Sequence, residues 1–413
     1  MASLERNIRL FPWFRMASDG HAWIPVFFLY MSQTLPLDQV IQLSAVYYLS
    51  VFALEVPSGY FSDRIGRRST LLLAAASLVL SYCCFIIGGN FWWFAAGQFL
   101  LAAGIAMQSG TDTAFHYDSL KALGRESEYQ QREAKAEQSG LTLLAIACLS
   151  GGILGLIDMR FAYGFSLISA MTMGVFAWQF VEPVHSTAKT TLPQSFVSVL
   201  LSCFKRLAEP VLGWIFLVVI VLYALAHIVF ELYQPYITLL KLPLLDATEF
   251  APLISGVIIA ISMFGGAIGA NLSNRWQSRL GLIGVLAVAM AMQLGIVAFM
   301  AIAVSPLAIL LIFARNFPMA LVHAPVRAAI APRINREQRA TYLSLQGLAE
   351  RLFFALLLLS LASGMSKGAP VDETTLLDIL TSTFWIGVIA SLLLFIFSRQ
   401  IQQILNRVDN PHA

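Results

Sequence analysis

A chain of 413 residues that is 58% hydrophobic and only 12% charged lies outside the range of soluble proteins, in which about a quarter of residues are charged. Its mean hydropathy of +0.75 puts it in a bilayer, and its long, unalternating Leu, Ala, Gly and Phe runs exclude a β-barrel. The net charge of +3 is small, so the placement of charge carries the information.

A hydrocarbon core about 30 Å thick takes roughly 20 residues per helix. Apolar runs bounded by charge, Gly or Pro predict helices over residues 8–33, 39–61, 70–88, 92–119, 136–157 and 161–181. A second set is expected over 210–236, 250–272, 280–304, 306–330, 338–364 and 376–398. The fold class is therefore an all-α membrane protein, with twelve transmembrane helices in two pseudo-symmetric six-helix bundles. The first helix should act as its own insertion signal, because Arg15, Asp19 and His21 interrupt it and no small-residue cleavage site follows.

Residues 1–185 and 209–413 form the two halves, joined by a polar cytoplasmic linker over 186–208 with an amphipathic helix expected near Phe196–Leu207. With both termini cytoplasmic, twenty basic residues fall on the inner side, against Arg160, Lys241 and Lys367 on the outer. That asymmetry fixes the orientation by the positive-inside rule. His116 and His323, Arg132 and Arg339, and Gly140-Leu141 and Gly347-Leu348 all share an offset of 207 residues. The halves thus read as parallel copies.

The third helix of each triplet has no ionisable residue in its apolar body, so it can face lipid. Charge falls instead on the first helix of each triplet: Arg15, Asp19 and His21; Asp112 and His116; His227 and Glu231; Arg315 and His323. Helix 11 adds Glu350 and Arg351. An ionisable group at bilayer depth costs several kcal/mol and so faces a partner or a watery cavity. Asp19, Asp112, His116 and Glu231 are the candidates for proton coupling. Arg15, His21, His227, Arg315, His323, Glu350 and Arg351 are the candidates for substrate contact.

Each candidate has a plainer reading. Arg15 and Asp19, four apart on one helical face, could simply neutralise each other. Asp112 and His116 could be a buried polar pair or a gate contact. One of Arg315 and Arg351 should answer an acidic partner among Asp19, Asp112, Glu231 and Glu350; a second, unanswered arginine would favour an anionic solute. Pro235 and Pro325 should kink their helices, and Gly265, Gly266 and Gly269 allow close helix packing. Cys83, Cys84, Cys148 and Cys203 have no metal or disulfide spacing and read as small buried hydrophobes. No phosphate-binding loop is present, so ATP does not drive the protein. No cofactor or metal is expected, and no enzyme activity.

Glu55–Arg68 reads EVPSGYFSDRIGRR. Its Gly59, Asp63, Gly66, Arg67 and Arg68 resemble the signature loop between helices 2 and 3 of the major facilitator superfamily. The resemblance implies that helices 1, 4, 7 and 10 line a central path, and that Gly59, Asp63, Arg64, Gly66, Arg67 and Arg68 form a conformational latch. Asp63 would accept hydrogen bonds at the start of helix 11, near Arg339–Tyr342, while Arg64, Arg67 and Arg68 would make cytoplasmic ion pairs. The second copy of the loop, around Asn274, Arg275 and Arg279, is degenerate. Gly151 and Gly152 alone stand for the helix-5 antiporter signature, with Ala147-Cys148 in place of its Gly-Pro.

The resemblance implies a secondary transporter of a bacterial efflux-like branch in the inner membrane, moving a small organic solute by alternating access, coupled to the proton gradient, with export slightly ahead. The alternatives are a proton-coupled importer of an anionic metabolite or siderophore-like metal chelator, and a transport-dead receptor. Expected partners are the solute and the lipid bilayer, with no nucleic acid, and the protein is read as a monomer.

Overall fold

The computed structural model describes residues 2–183, 207–241, 246–334, 336–368 and 370–409. Most of the expected linker, with its amphipathic helix, lies outside them. The described residues are helical and carry no strand. Ten helical stretches are long and apolar enough to cross a membrane, and Ala247–Ile302 at 56 residues is long enough to do so twice. Together with the interrupted first segment, these are consistent with twelve passes.

The first half is α1 (Ala2–Ser18), α2 (Phe27–Ser32), α3 (Leu37–Ile65), α4 (Arg67–Ile87), α5 (Phe91–Gln108), α6 (Thr111–Lys121), α7 (Tyr129–Gly155) and α8 (Met159–Gln179). The second is α9 (Pro210–Thr238), α10 (Ala247–Ile302), α11 (Leu307–Phe313), α12 (Phe317–Ile330), α13 (Arg336–Gly364), α14 (Glu373–Ile396) and α15 (Ser398–Asp409). Local sequence starts these helices where orphan N–H groups need acceptors. Asn90 accepts from Trp92 and Trp93, Asp158 from Arg160, and Asp372 from Thr375. Asp372 lies between α13 and α14, and the Thr375 backbone N–H holds its carboxyl below the ordinary aspartate range.

Two compact units emerge. One comprises Met1–Ala188, Thr248–Ala260 and Ala355–Pro370; the other Lys189–Ala247, Ile261–Phe354 and Val371–Ala413. In the first, α4 packs on α5 and α8, and α1 on α7 and α8. In the second, α9 packs on α12, α14 and α15. α9 is apolar on all sides, as its burial by neighbours demands.

Three of the expected helices are broken. The segment expected over 8–33 loses its helical hydrogen bonds between α1 and α2, where the His21 N–H donates to the Asp19 carbonyl and the Val26 N–H to that of Trp23. Pro25 removes a donor there and disfavours a helical Ile24. The segment expected over 92–119 breaks at Ser109-Gly110, where Gly110 takes a left-handed φ of 75° that glycine adopts without steric cost. The segment expected over 306–330 breaks between α11 and α12, with Pro318 in the first turn of α12. Helix 7 stays continuous as α9, Pro235 included. Helices 8 and 9 form one long element bent at Gly281, with φ 69°. Helix 5 starts at Tyr129, seven residues before the expected 136.

Candidate functional site

The helix breaks fall where the charge is. Asp19 begins the α1–α2 break, Asp112 sits in the first turn of α6, and Arg315 lies between α11 and α12. Irregular backbone at membrane depth persists only where protein covers it or a cavity hydrates it. Here glycines let neighbouring backbones close in. A Cβ on Gly151 would lie 1.9 Å from the Ala22 carbonyl oxygen, and one on Gly269 would lie 2.6 Å from that of Phe317.

In the first unit the centre is Arg15. Its Nη1 donates to Asp112 Oδ2 at 2.7 Å, its Nη2 to Glu137 Oε2 at 2.9 Å, and its Nε lies 3.5 Å from Asp19 Oδ2. Arg15 and Asp19 do pair, yet the tighter contacts run to two other helices. Asp112 is buried, and its second oxygen accepts the Thr113 N–H at 2.7 Å. The room for Asp19 comes from Gly140, where a Cβ would stand 2.0 Å from Asp19 Oδ2. One guanidinium thus faces three carboxylates, from the α1–α2 break, α6 and α7.

His116 borders this centre. Its Nδ1 pairs with Glu133 Oε2, and its ring stacks on Phe11 with centroids 4.0 Å apart. His21 occupies the α1–α2 break, with Nδ1 3.2 Å from the Tyr82 hydroxyl, and is not among the direct partners of Arg15. Glu133 and Glu137 were not singled out from the sequence. Their signal was available: they lie four apart on one face of α7.

The second unit places Arg315 differently. Its guanidinium carbon lies 4.9 Å from the Phe230 ring centroid and 5.7 Å from that of Tyr233, both on α9. Next to it, Asn316 Nδ2 donates to Ser262 Oγ at 3.3 Å. Glu231 is buried on the same helix. His227 has the plainer role: its Nδ1–H donates to the Tyr223 carbonyl at 3.0 Å, and its ring stacks on Tyr223 at 3.6 Å. Glu350 accepts from Gln346 at 3.1 Å, one turn earlier on α13, and Arg351 is half-buried. His323 is exposed on α12.

The loop residues hold the first unit together at one rim. Gly66 takes φ 97°, and Glu182 crowds its α-carbon. The Glu182 carboxylate accepts the Arg67 and Arg68 backbone N–H groups at 2.8 Å each, which caps α4. Arg67 pairs with Asp118 on α6 at 2.8 Å, whereas Arg68 reaches a neutral acceptor, the Trp178 carbonyl, at 2.8 Å. Arg64 is exposed, and nothing lies within 4 Å of where a Gly59 Cβ would be. The side chains of Asp63 and of residues 336–341 lie outside the described residues. Asp118 and Glu182, both missed by sequence, are what Arg67 and the α4 amino end bind.

Broken apolar helices that carry ionisable groups are the features shared by both units. Residues 16–122 match the family model described as Major Facilitator Superfamily. The fold is similar to a crystal structure of a variant of the nucleoside transporter NupG, with TM-score 0.77, 12% identity, and 95% of this chain and 99% of that one covered. It is also similar to a bacterial homolog of the human lysosomal transporter Spinster, inward-facing and unoccupied, at TM-score 0.68, 14% identity and 97% and 98% coverage. A D-xylose-proton symporter matches at TM-score 0.65, 14% identity and 95% and 97% coverage. By sequence, no curated protein matches the chain. The family match spans about a quarter of the chain, and the fold as a whole is similar to that of these transporters.

Proposed function

We propose that the protein is a secondary transporter of the inner membrane, with both termini cytoplasmic, that moves a small organic solute by alternating access coupled to protons. The observation that carries this reading is the Arg15 centre: three carboxylates, from the break in helix 1 and from α6 and α7, against one guanidinium. With all four groups ionised the cluster is anionic, and uncompensated charge is costly where it is buried, as at Asp112. A proton entering the cluster relieves that cost, and interacting carboxylates share it as a set. Proton uptake would loosen the ties of α1 to α6 and α7, which is how it would bear on which side opens. The efflux-like character of Glu55–Gly59 puts export ahead of import.

A ligand-induced thermal-shift screen over drugs, amino acids, nucleosides and carboxylate chelators would identify the solute. Flux of that solute into proteoliposomes under an imposed pH gradient tests the coupling. Asp112→Asn and Glu137→Gln should each abolish gradient-driven accumulation while solute exchange persists. If accumulation survives in both, and in Asp19→Asn and Glu231→Gln, the coupling proposal is wrong. A second reading, uptake of an anionic metabolite or chelator, draws on the buried Arg315 guanidinium, whose planar fork suits carboxylates. Carboxylate solutes alone stabilising the protein in the same screen would favour it.

A further inference from the structure

The first unit has a groove that this transport reading does not use. It is about 410 Å³, within the range of ligand sites, and is walled by Trp13 and Met16 on α1, Leu143 on α7, and Phe165, Ile168 and Phe176 on α8. The Ser169 and Thr172 hydroxyls in the wall donate to the Ala17 and Ile168 carbonyls at 2.8 Å each, so the lining asks for no polar partner. Trp13 and Ile168 are 58% and 67% exposed. From Phe165 to Phe176 the groove runs about 16 Å along α8, at 1.5 Å per residue, which is the reach of an acyl chain.

Charge marks one end. Residues 6, 9, 13 and 16 share a face of α1 by helical spacing, so Arg6 and Arg9 continue the stripe of Trp13 and Met16 beyond the groove. Both arginines are exposed, and neither makes an ion pair among the described residues. Their depth is fixed by antiparallel contacts between α1 and the end of α8: Ser169 Oγ meets the Ala17 carbonyl, and Asn7 meets that of Val181 at 2.7 Å. Arg9 therefore stands level with the residues just past Phe176, at the mouth. Glu5 is held by Arg125 at 3.0 Å and Glu182 by the α4 amino end, which leaves this mouth basic.

We propose that the groove binds an anionic phospholipid of the leaflet at the α1 amino end, with an acyl chain along Trp13 and Phe176 and the phosphate on Arg6 and Arg9. The test reconstitutes the full chain in nanodiscs containing brominated phosphatidylglycerol or brominated phosphatidylcholine. Trp13 quenching is read as the difference from W13F. Phosphatidylglycerol should quench at a much lower mole fraction than phosphatidylcholine. A basic residue near the surface contributes about fivefold to binding anionic lipid, so R6Q/R9Q should cost most of a roughly thirtyfold preference while R6K/R9K keeps it. Native mass spectrometry of lipid retained by R6Q/R9Q, with Trp13 intact, gives the second measurement. Equal quenching by the two lipids, no quenching of Trp13, or a preference that survives R6Q/R9Q would each overturn the proposal.

Discussion

The surroundings of Arg15 and Arg315 show how differently two halves of one fold can hold a buried cation. Arg15 is fixed by oxygens from three helices, which makes its position depend on the charge state of its neighbours. Arg315 has the rings of Phe230 and Tyr233 among its contacts, and a cation–ring attraction does not itself titrate. The matched glycines repeat the contrast. Gly140 makes room for the Asp19 carboxylate, while its partner at the 207-residue offset, Gly347, has nothing within 4 Å of a Cβ. Around these two glycines the first unit holds an ionic contact and the second holds open space.

The largest break in this contrast should come from Arg15→Gln. It leaves the buried Asp112 carboxylate without its cation, and breaking a buried ion pair from one side costs about 3–5 kcal/mol, while the exposed Glu137 keeps its solvent. Thermal unfolding in detergent should fall steeply, and gradient-driven flux should vanish. Arg15→Lys should recover part of the stability but little flux, because a point charge cannot hold three helices with one planar fork.

Next in size is the glycine pair. Gly140→Ala places a methyl 2.0 Å from Asp19 Oδ2, so the carboxylate must leave its place and the Nε contact goes with it. Accumulation under a pH gradient should drop by an order of magnitude or more, as a coupling worth about 1.4 kcal/mol or more would give. Gly347→Ala meets no atom and should be neutral or stabilise by roughly 0.5–1 kcal/mol, as alanine does in a helix. Equal loss from both substitutions would undo the claim that the ionic centre belongs to the first unit.

Which parts of this were legible beforehand follows from what hydropathy measures. Apolar runs register burial in lipid, so the long apolar segments from 39–61 to 376–398 could be read directly, although the expected gap between helices 8 and 9 is helical too. The same signal is blind to backbone hydrogen bonds, and the breaks at Gly20–Val26, Ser109-Gly110 and Ala314–Asn316 were read as continuous helix. Gly110 before Asp112, and Pro25 and Pro318, were the local marks of them. Hydropathy also ends a helix where lipid ends. Tyr129–Lys135 is polar, so the first two turns of α7 read as a loop and Glu133, partner of His116, goes with them; Glu137, partner of Arg15, lies at the polar start of the expected 136–157 helix. Charge placement did bring out Arg15, Asp19 and Asp112, since a buried charge must be answered wherever the backbone goes. It could not say that Arg15 answers all of them.

A smaller effect tests the aromatic side of the comparison. Phe230→Leu keeps an apolar side chain on α9 but removes the ring 4.9 Å from Arg315. A cation–π contact contributes about 0.5–2 kcal/mol, more when desolvated, so thermal stability should fall modestly. That fall should be the same at pH 6 and pH 8, because neither partner changes charge in that interval. A strongly pH-dependent loss would mean that Arg315 too is governed by a titrating neighbour, and the contrast with Arg15 would fail.

The smallest expected effect asks how far the ionic character of the first unit extends. Glu182 caps α4 through two N–H groups at once, so it acts as an anion on a helix amino end as well as an acceptor. Glu182→Gln keeps one acceptor oxygen and removes the charge, and the charge at such a site contributes about 0.3–1 kcal/mol. The unfolding temperature should therefore fall slightly in low salt, and the gap to the unsubstituted protein should narrow as salt screens the interaction. Flux per folded molecule should be unchanged, because the Glu182 contacts secure α4 at the rim and involve none of the carboxylates on Arg15. Loss of flux at full stability would instead tie the α3–α4 loop to the transport cycle through Arg67 and Asp118, and would move the functional boundary of the ionic unit out to its rim.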